Sequence, residues 1–251
     1  KRFSSKRCVD KKSMGGHKEA FINHYDPQRK STYCGKLLNP NEYDFYLYLK
    51  KNPEINRFFP KFYGLCGNGD KEYMIIENIF ERLGKKFKFV DVKLGHKTAY
   101  RRDSGRIKSH KHRMLDKYLS TSHSEGFRVE GLNFKIGSKY IKTKMGRHNI
   151  NSTDLWKSLL ARSDPTIIRK LLRQLKSIVA MLDKNLSKKN KFGLIGSSVL
   201  IAHDNKKVVV RLIDFTHSYF GSDKFVSKIA ENLYLGVLKL YQSLVEFNND
   251  N

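Results

Sequence analysis

Residues 87–95 read FKFVDVKLG, a run that predicts a β-strand carrying an acid and a lysine toward one end. Apolar and polar side chains largely alternate, which is typical of a strand whose successive side chains point to opposite faces. Asp91 and Lys93 are two residues apart and therefore share a face. Gly95 then lets the backbone turn sharply, because glycine accepts conformations that other residues resist. Asp91 taken alone is more simply explained as a turn acid at a strand end.

A second acid follows a strand further along the chain. Residues 208–213 predict an apolar strand, and Asp214 comes directly after it. A carboxylate at such a strand end can hold a hard divalent cation through oxygen. A turn or helix cap explains Asp214 about equally well from spacing alone.

The order of the predicted elements indicates the fold class. A hairpin within 15–38 turns at Asp26-Pro27, a helix covers 41–51, and strands follow at 73–77 and 87–94. The later part mixes strands at 127–132, 134–144, 198–202 and 208–213 with helices at 154–160, from Pro165 behind the cap Asp164, and over about 224–247. Strands first and mixed elements later argue for an α+β fold in two lobes rather than a doubly wound sheet.

The composition predicts a folded chain that binds a polyanion. Apolar residues make up 39% and aromatic residues 12% of the 251, too many for a disordered chain. Lysine and arginine number 50 against 24 acids, a net charge of +26 that solubility does not require. Such a surface attracts nucleic acid, an anionic membrane or a small, heavily phosphorylated molecule, and composition does not choose among them.

Targeting and cysteine patterns predict a protein inside the cell. Residues 1–13 are basic and polar, and no apolar run approaches the ~18 residues that cross a bilayer. We therefore expect neither a secretory signal nor a transmembrane segment. Cys8, Cys34 and Cys66 form no CxxC pair, which favours reduced thiols in a cytoplasmic and/or nuclear protein.

Residues 96–117 form a strongly basic segment, with eight Lys or Arg, three His and two acids. A helix over 104–119 would align four cationic groups on one face and leave four apolar residues elsewhere to dock it on the body. A charge run is usually a solvated face, but this one follows the strand that carries Lys93, which favours a stripe that binds a polyanion. The cationic groups are Arg106, His110, Arg113 and Lys117, and the apolar residues are Ile107, Met114, Leu115 and Tyr118.

Four segments together resemble the signatures of the inositol polyphosphate kinases, and they occur in the family's order. Phe87 stands where the family signature has proline, a departure that should alter the local chain path more than the chemistry. The segments are Asp91-x-Lys93-x-Gly95, like the family's DxKxG; Gly196-Ser197-Ser198-Val199-Leu200, like its Ser-Ser-Leu-Leu strand; Ile213-Asp214-Phe215-Thr216-His217-Ser218, like its metal-binding segment; and Met74-Ile75-Ile76-Glu77-Asn78-Ile79, like its hinge.

Three further segments resemble the inositol hexakisphosphate kinases within that family. They are Gly15-Gly16-His17, Ser120-Thr121-Ser122 followed by 126–132, and Lys144-Met145-Gly146-Arg147, which is one residue shorter than its counterpart. The resemblance implies a two-lobed, protein-kinase-like fold with antiparallel sheets in both lobes. Residues 1–78 would form a mainly β N-lobe on the ATP-phosphate side. Residues 79–251 would form the C-lobe, with the hinge, a substrate-binding segment at about 96–122 and the metal site.

The resemblance also implies ATP and Mg²⁺ as cofactors and assigns residues to the nucleotide. Lys36 would contact the ATP phosphates, with Lys30 as its rival in the same hairpin. Glu77 and Ile79 would offer backbone groups to adenine, and Asp91 would accept hydrogen bonds from the ribose. An ordinary surface lysine and a buried strand edge are the plainer explanations of Lys36 and of the hinge.

The implied catalytic and substrate residues come mainly from the later part of the chain. Asp214 would bind the metal with Ser198 as a weaker assistant, although Ser198 fits an ordinary strand serine equally well. Lys93 would neutralise a substrate phosphate or the transferring group. His217, for which a structural role is the alternative, would hydrogen-bond the substrate. The other phosphates would contact Arg106, Lys108, His110, Lys111, Arg113, Lys144 and Arg147.

We therefore expect an ATP-dependent kinase that phosphorylates inositol hexakisphosphate to a diphosphoinositol polyphosphate. A closely related alternative is a multikinase acting on ring hydroxyls of inositol tris- or tetrakisphosphate. A further alternative is a non-enzymatic polyanion- or nucleic-acid-binding protein, which the charge would suit although the usual binding motifs are missing. We expect a monomer with no stable nucleic-acid partner.

Overall fold

The computed structural model describes residues 21–26, 31–68, 70–100, 110, 113–136, 139–142 and 149–250. The chain divides into two units between Arg82 and Leu83. Each unit has its own antiparallel sheet and its own buried apolar residues. Over the residues so described, no helix combines the length and the apolar character needed to span a bilayer.

The first unit is built on a four-stranded antiparallel sheet in the order β1-β2-β4-β3. Hairpins join β1 to β2 and β3 to β4, and the pairing of β2 with β4 joins the two hairpins. Its strands are β1 (Phe21–Asp26), β2 (Ser31–Leu37), β3 (Phe62–Asn68) and β4 (Lys71–Ile76), and its helices are α1 (Pro40–Lys51), α2 (Pro53–Asn56) and a 3₁₀ helix at Ile79–Arg82.

Helix α1 begins at a polar cap and buries an aromatic face. The Asn39 side chain accepts a hydrogen bond from the Glu42 N–H at 3.1 Å, which satisfies one of the free amide groups at the helix start. Phe45 is fully buried and its ring lies edge-on to Phe59 at 5.3 Å. Aromatic packing of this kind stabilises α1, because large rings remove much apolar surface from water.

The second unit is built on a five-stranded antiparallel sheet in the order β10-β9-β5-β6-β7, with a separate two-stranded sheet of β8 and β11. β5 is the middle strand of the five. The strands are β5 (Lys86–Leu94), β6 (Phe127–Ile136), β7 (Lys139–Lys142), β8 (Lys191–Leu194), β9 (Ser198–His203), β10 (Val208–Ile213) and β11 (Ser218–Gly221). The helices are a π-helix at Leu115–Leu119, α3 (Ser122–Glu125), α4 (Ser152–Leu160), α5 (Pro165–Leu186) and α6 (Lys224–Asn249).

Helix α5 follows directly from its sequence pattern. Asp164 caps it by accepting a hydrogen bond from the Thr166 N–H at 2.7 Å, and Pro165 fits the first helical position. Its buried apolar side chains recur every three or four residues and pack against α6 and β10. This apolar face stabilises the helix along its length. They are Ile167, Leu171, Leu175, Ile178, Met181 and Leu182.

The predicted α+β class, with antiparallel sheets in both units, is confirmed. The boundary predicted between the strands 127–132 and 134–144 is wrong, although two successive strands do occur in this region. β6 continues through Asn133 to Ile136, and β7 is a short strand of its own. Asn133 pairs with Phe89 of β5 on one side and with Lys142 of β7 on the other. Pairing on both sides keeps the chain extended where the local sequence suggested a break.

Candidate active site

Three neighbouring strands of the second unit bring the predicted metal- and phosphate-binding residues to the same end of the sheet, where these strands begin or finish. Lys93 on β5 pairs with Ser198 at the start of β9, and Ser198 also pairs with Ile213 at the end of β10. Because β9 lies between the other two strands, Asp214 leaves β10 next to this row. Residues that are far apart in the sequence are therefore neighbours at this end of the sheet.

The Lys93 ammonium group lies near a backbone carbonyl and a carboxylate. Its Nζ donates a hydrogen bond to the Gly196 carbonyl at 2.7 Å and lies 3.9 Å from Oδ2 of Asp214. The lysine side chain is 15% exposed, so its charge is largely withdrawn from water. A cation in this setting interacts more strongly with a phosphate oxygen than it would in bulk water, because the local dielectric is lower.

Asp91 contributes a buried carboxyl group beside this lysine. Its Oδ1 is buried and makes no hydrogen bond within the described part of the chain. Burial raises the pKa of Asp91 to about 6, and the Asp214 carboxylate adds to the rise. The positive charge of Lys93 opposes it. Ionising this group is costly without a partner, so Asp91 is suited to receive a cation or a hydrogen-bond donor.

Asp214 has an uncommon backbone conformation. Its φ is 64°, in the left-handed region that residues other than glycine seldom adopt. Aspartate enters this region more readily than most residues, and such strain costs about 1–3 kcal/mol and is concentrated at functional positions. The Asp214 side chain is 40% exposed, so its carboxylate remains accessible at the strand end.

The carboxylate and hydroxyl oxygens at this end of the sheet suit a hard divalent cation. Asp91 and Asp214 supply carboxylates, and the buried Ser198 hydroxyl lies beside the Asp91 carboxylate. Mg²⁺ commonly binds one or two carboxylates and completes its shell with water and phosphate oxygens. No group of three or more His, Cys, Asp or Glu side chains that could hold a metal occurs in the described ranges. A cation here therefore depends on ligands from a bound phosphate and from water.

The turn after β5 is held against α6. The Asn232 side chain of α6 accepts a hydrogen bond from the Lys97 N–H at 3.2 Å and donates one to the Lys97 carbonyl at 2.8 Å. Gly95 has a φ of 91°, and a Cβ added there would collide with the Asn232 amide. Conformation and space therefore both require glycine, which is the physical basis of the sharp turn predicted after Lys93.

In the first unit, Lys36 of β2 forms an ion pair with Glu42 of α1. Its Nζ lies 2.8 Å from Oε2 and 2.9 Å from Oε1, and the Glu42 side chain is 1% exposed. A strand lysine paired with a helix glutamate is the arrangement that holds the phosphate-binding lysine of protein kinases. Sequence reasoning missed Glu42, although Asn39 followed three residues later by an acid is a helix-start pattern. Lys30, the rival of Lys36, lies outside the described residues.

The predicted hinge residues follow β4. The Glu77 carboxylate lies 3.0 Å from Nη2 of Arg82, and the Glu77 N–H donates to the Lys61 carbonyl at 2.8 Å. Ile79 is 7% exposed and begins the 3₁₀ helix. The Glu77 side chain is in an ion pair and the Ile79 side chain is packed, so we expect a ligand at these positions to contact the main chain.

The predicted phosphate-binding residues are described only in part. His110 is exposed and Arg113 is half-buried. His217 is half-buried, and its carbonyl accepts a hydrogen bond from the Ile195 N–H at 3.0 Å, which fixes its backbone next to the end of β8. The remaining five lie outside the described residues: Arg106, Lys108, Lys111, Lys144 and Arg147.

The prediction that apolar side chains dock the 104–119 segment is wrong for Met114 and Tyr118, whereas Leu115 is half-buried. Met114 is 37% exposed and Tyr118 is 71% exposed, and residues 115–119 form a π-helix. Asp116 is the buried residue instead, because its carboxylate pairs with the Arg128 guanidinium at 2.8 Å. The local pattern could not show this, since Arg128 belongs to β6.

Comparison with known proteins identifies relatives of this chain. The family model described as inositol polyphosphate kinase matches residues 73–247, which is more than half of the chain. The crystal structure of inositol phosphate multikinase Ipk2 from S. cerevisiae, in complex with ADP and Mn²⁺, is 21% identical, with 85% of this chain and 98% of that chain covered and a TM-score of 0.67. A second inositol phosphate multikinase structure is 21% identical, with 82% and 98% covered and a TM-score of 0.61. No curated protein sequence matches. These two likenesses confirm the predicted fold.

Proposed function

The chain belongs to the inositol polyphosphate kinase family, and we propose that it is an ATP-dependent kinase whose substrate is inositol hexakisphosphate. The product is a diphosphoinositol polyphosphate, because an acceptor with phosphate on every ring carbon receives the new group on a phosphate. The choice of this substrate is supported by three segments that resemble hexakisphosphate kinases. They are Gly15-Gly16-His17, Ser120-Thr121-Ser122 with 126–132, and Lys144-Met145-Gly146-Arg147.

The observation that carries the proposal is the approach of Lys93 to Asp214, 3.9 Å apart at the ends of two strands that both border β9. Phosphoryl transfer depends on positioning and electrostatic stabilisation more than on covalent help. We assign Lys93 to the transferring group or to a neighbouring substrate phosphate. Asp214 and Ser198 hold Mg²⁺, which when bound offsets the negative charge of the ATP phosphates.

The proposed nucleotide contacts are assigned residue by residue, as the family resemblance implies. In the first unit the Lys36 ammonium, oriented by Glu42, contacts the ATP phosphates. The Glu77 N–H already donates to a carbonyl, so the carbonyl of Glu77 and the main chain of Ile79 are assigned to adenine. In the second unit Asp91 accepts a hydrogen bond from the ribose, a role supported by its buried Oδ1. The similar Ipk2 structure contains ADP and Mn²⁺, in keeping with a nucleotide and a divalent cation here.

The proposed substrate contacts combine Lys93 with cationic groups that follow β5 and β7. Six phosphates carry more negative charge than three, so they suit a chain with a net charge of +26. A strong general base is unnecessary, because a phosphate monoester has a second pKa of about 6 and is already ionised at neutral pH. The contacts are assigned to Lys93, Arg106, Lys108, His110, Lys111, Arg113, Lys144, Arg147 and His217.

A multikinase acting on ring hydroxyls of inositol tris- or tetrakisphosphate is the second candidate function. The observation that favours it is that both similar solved structures are inositol phosphate multikinases. The two functions share the nucleotide, the metal and Lys93, and they differ in the acceptor. Substrate preference and the chemical class of the product therefore separate them.

The test offers ATP, Mg²⁺ and one of three acceptors, inositol hexakis-, tetrakis- or trisphosphate, and measures kcat/KM for each. Phosphorus NMR then distinguishes a diphosphate product from a monoester. We expect the highest kcat/KM with the hexakisphosphate and a diphosphate product. Asp214→Asn should lower kcat at least about 100-fold, because a charged metal ligand acts on the transition state. Asp183→Asn, an exposed acid on α5, is the matched control and should leave kcat unchanged.

Each alternative outcome has a definite meaning. A higher kcat/KM with tris- or tetrakisphosphate and monoester products would assign the multikinase activity instead. Near-normal turnover of the folded Asp214→Asn protein would remove the metal role of Asp214. Absence of transfer to all three acceptors would overturn the kinase proposal. Binding of the acceptors without transfer would then indicate a polyanion-binding protein.

A further inference from the structure

A buried polar cluster joins four segments of the second unit. Arg128 of β6 is fully buried, and its Nη1 donates to Oδ1 of Asp116 at 2.8 Å and to the Ser122 hydroxyl at 3.0 Å. Its Nε donates to the Glu130 carboxylate at 2.8 Å. Asp116 also accepts hydrogen bonds from the Thr98 N–H and hydroxyl, both at 2.7 Å. We call these five residues the Arg128 cluster.

The Arg128 cluster adjoins the position of Lys93. Arg128 and Lys93 are directly opposed in the pairing of β6 with β5, so their side chains stand on the same face of the sheet. The Thr98 carbonyl lies 3.3 Å from the place that a Cβ on Gly196 would occupy. The Gly196 carbonyl in turn accepts the hydrogen bond from Lys93 Nζ. Thr98 of the cluster and Gly196, the hydrogen-bond acceptor of Lys93, are therefore close neighbours.

The Arg128 cluster also holds the π-helix Leu115–Leu119, which follows Arg113. Asp116 is the second residue of this π-helix and is 4% exposed. Tyr118 and Leu119 are 71% and 53% exposed, so their apolar side chains contribute little to holding it. π-Helical turns are uncommon and occur frequently at functional sites. The Asp116 carboxylate is therefore the main buried attachment described for this segment.

Stability alone does not explain why this attachment is ionic. Removing two charges from water offsets most of their attraction, and apolar residues of similar volume often stabilise a fold as well or better. An ion pair differs in its directionality, because the planar guanidinium group of Arg128 reaches Asp116 and Glu130 only in defined orientations. The Arg128 cluster is thus better suited to setting a position than to adding stability.

We propose that Arg128 and Asp116 are positioning residues that place Arg113 relative to Lys93, so that both contact the same inositol phosphate. The inference rests on the proposed function, because Arg113 acts through that substrate. Both positioning residues are buried, at 0% and 4% exposure, so neither contacts the substrate itself. A small displacement of Arg113 would weaken phosphate binding without touching the nucleotide contacts.

The test compares Asp116→Asn and the double variant Arg128→Met with Asp116→Leu, which replaces the ion pair by apolar side chains. Values of kcat and KM are measured for the inositol phosphate and for ATP, together with Tm and equilibrium binding of inositol hexakisphosphate. We expect KM for the inositol phosphate to rise at least about 10-fold and KM for ATP to change less than about twofold, because misplaced contacts are lost on one substrate only.

A matched control separates positioning from loss of stability. Gln174 of α5 donates to the Val208 carbonyl at 3.0 Å and accepts from the Val210 N–H at 3.1 Å, toward the end of β10 away from Asp214. Gln174→Leu should lower Tm and leave both KM values unchanged. Should both cluster variants fail to fold, Arg128→Lys, which keeps the charge but lacks the planar group, takes their place.

The outcomes distinguish this inference from the proposed function. A folded variant with the parental KM for the inositol phosphate overturns the inference, and so does an equal rise in both KM values. If the unsubstituted protein uses tris- or tetrakisphosphate instead, the proposed substrate fails and the comparison is made with that acceptor. If it transfers to none, weaker binding of inositol hexakisphosphate by the variants supports the inference, and unchanged binding overturns it.

Discussion

At the scale of the residue, burial acts in opposite senses on an acid and a histidine of the second unit. It raises the pKa of Asp91 to about 6, so the folded chain keeps a proton on this carboxyl at pH values where the unfolded chain has lost it. The stability that protonated Asp91 contributes is therefore lost as pH rises through about 6. Keeping an ionised Asp91 at neutral pH costs stability, which fits a group that serves a ligand.

His203 shows the reverse effect. Its Nε2 donates to the Leu159 carbonyl at 2.9 Å, and its Nδ1 accepts from the Asn205 N–H at 3.4 Å. Both hydrogen bonds require the neutral imidazole with its proton on Nε2. Burial lowers the pKa of His203, and the hydrogen bond to Leu159 opposes that shift only in part.

We predict that the contribution of His203 to the free energy of unfolding falls as pH drops below about 6.5, the usual pKa of histidine in an unfolded chain. The unfolded state then takes up a proton that folded His203 does not accept, so stability is complete above this pH and is lost on acidification. One such proton contributes a slope of at most about 1.4 kcal/mol per pH unit. Denaturant titrations from about pH 5 to 7 measure it.

The control for this prediction is His203→Gln. Glutamine can still donate to the Leu159 carbonyl but has no proton to gain in this range. The slope of the free energy of unfolding against pH should be less positive in the variant than in the parent, because the His203 contribution is gone. Identical slopes in the two proteins would show that His203 is not the group responsible.

At the scale of the element, the approach of α6 to β5 shapes the candidate active site. Gly95 donates its N–H to the Gly126 carbonyl at 2.8 Å, which joins the end of β5 to the start of β6. A Cβ on Gly236 of α6 would lie 2.5 Å from the Gly95 nitrogen and 3.1 Å from the Gly126 carbonyl oxygen. The helix backbone thus passes close to the turn that follows Lys93, and only glycine allows this approach.

We predict that Gly236→Ala destabilises the protein by about 1–3 kcal/mol, because the added methyl group meets backbone atoms that cannot rotate away. The helix propensity of alanine acts in the other direction by about 1 kcal/mol, so a purely helical effect would stabilise. Thermal or denaturant unfolding gives the sign. Gly67→Ala on β3 is the control, since nothing lies within 4 Å of its added Cβ. Greater stability of Gly236→Ala than of the parent would contradict the close approach.

At the scale of the whole molecule, the excess of cations is the dominant property. The net charge of +26 arises from 50 basic and 24 acidic residues. The described acids near the site are largely paired: Asp116 and Glu130 with Arg128, and Asp214 with Lys93. A polyanion therefore meets a surface of positive potential, which raises its local concentration and its rate of association.

We predict that the affinity for inositol hexakisphosphate falls as ionic strength rises, and falls more than the affinity for ATP. The Debye length shortens from about 30 Å at 0.01 M to about 8 Å at 0.15 M, so distant lysines and arginines stop contributing. The hexakisphosphate carries more charge than ATP and interacts with more of them. Calorimetric titrations at several salt concentrations measure both affinities. An affinity for the hexakisphosphate that does not change with salt would contradict a site of this kind.

Much of the local structure was predictable from the sequence, because it depends on neighbours in the chain. The cap at Asp164 and the apolar period after it predicted α5, and alternation predicted β5 with Asp91 and Lys93 on one face. The order of short motifs indicated the family before any fold was known. These features follow from backbone sterics and side-chain period, which act over a few residues.

Only the tertiary structure decided which of these residues meet. Asp214 lies 3.9 Å from Lys93 because β9 is inserted between β5 and β10, a pairing order that no local pattern contains. Asp116 is buried while Tyr118 is exposed, against the apolar pattern, because Arg128 on a distant strand supplies the partner charge. The period of a segment determines which side chains share a face, and long-range pairing determines what that face contacts.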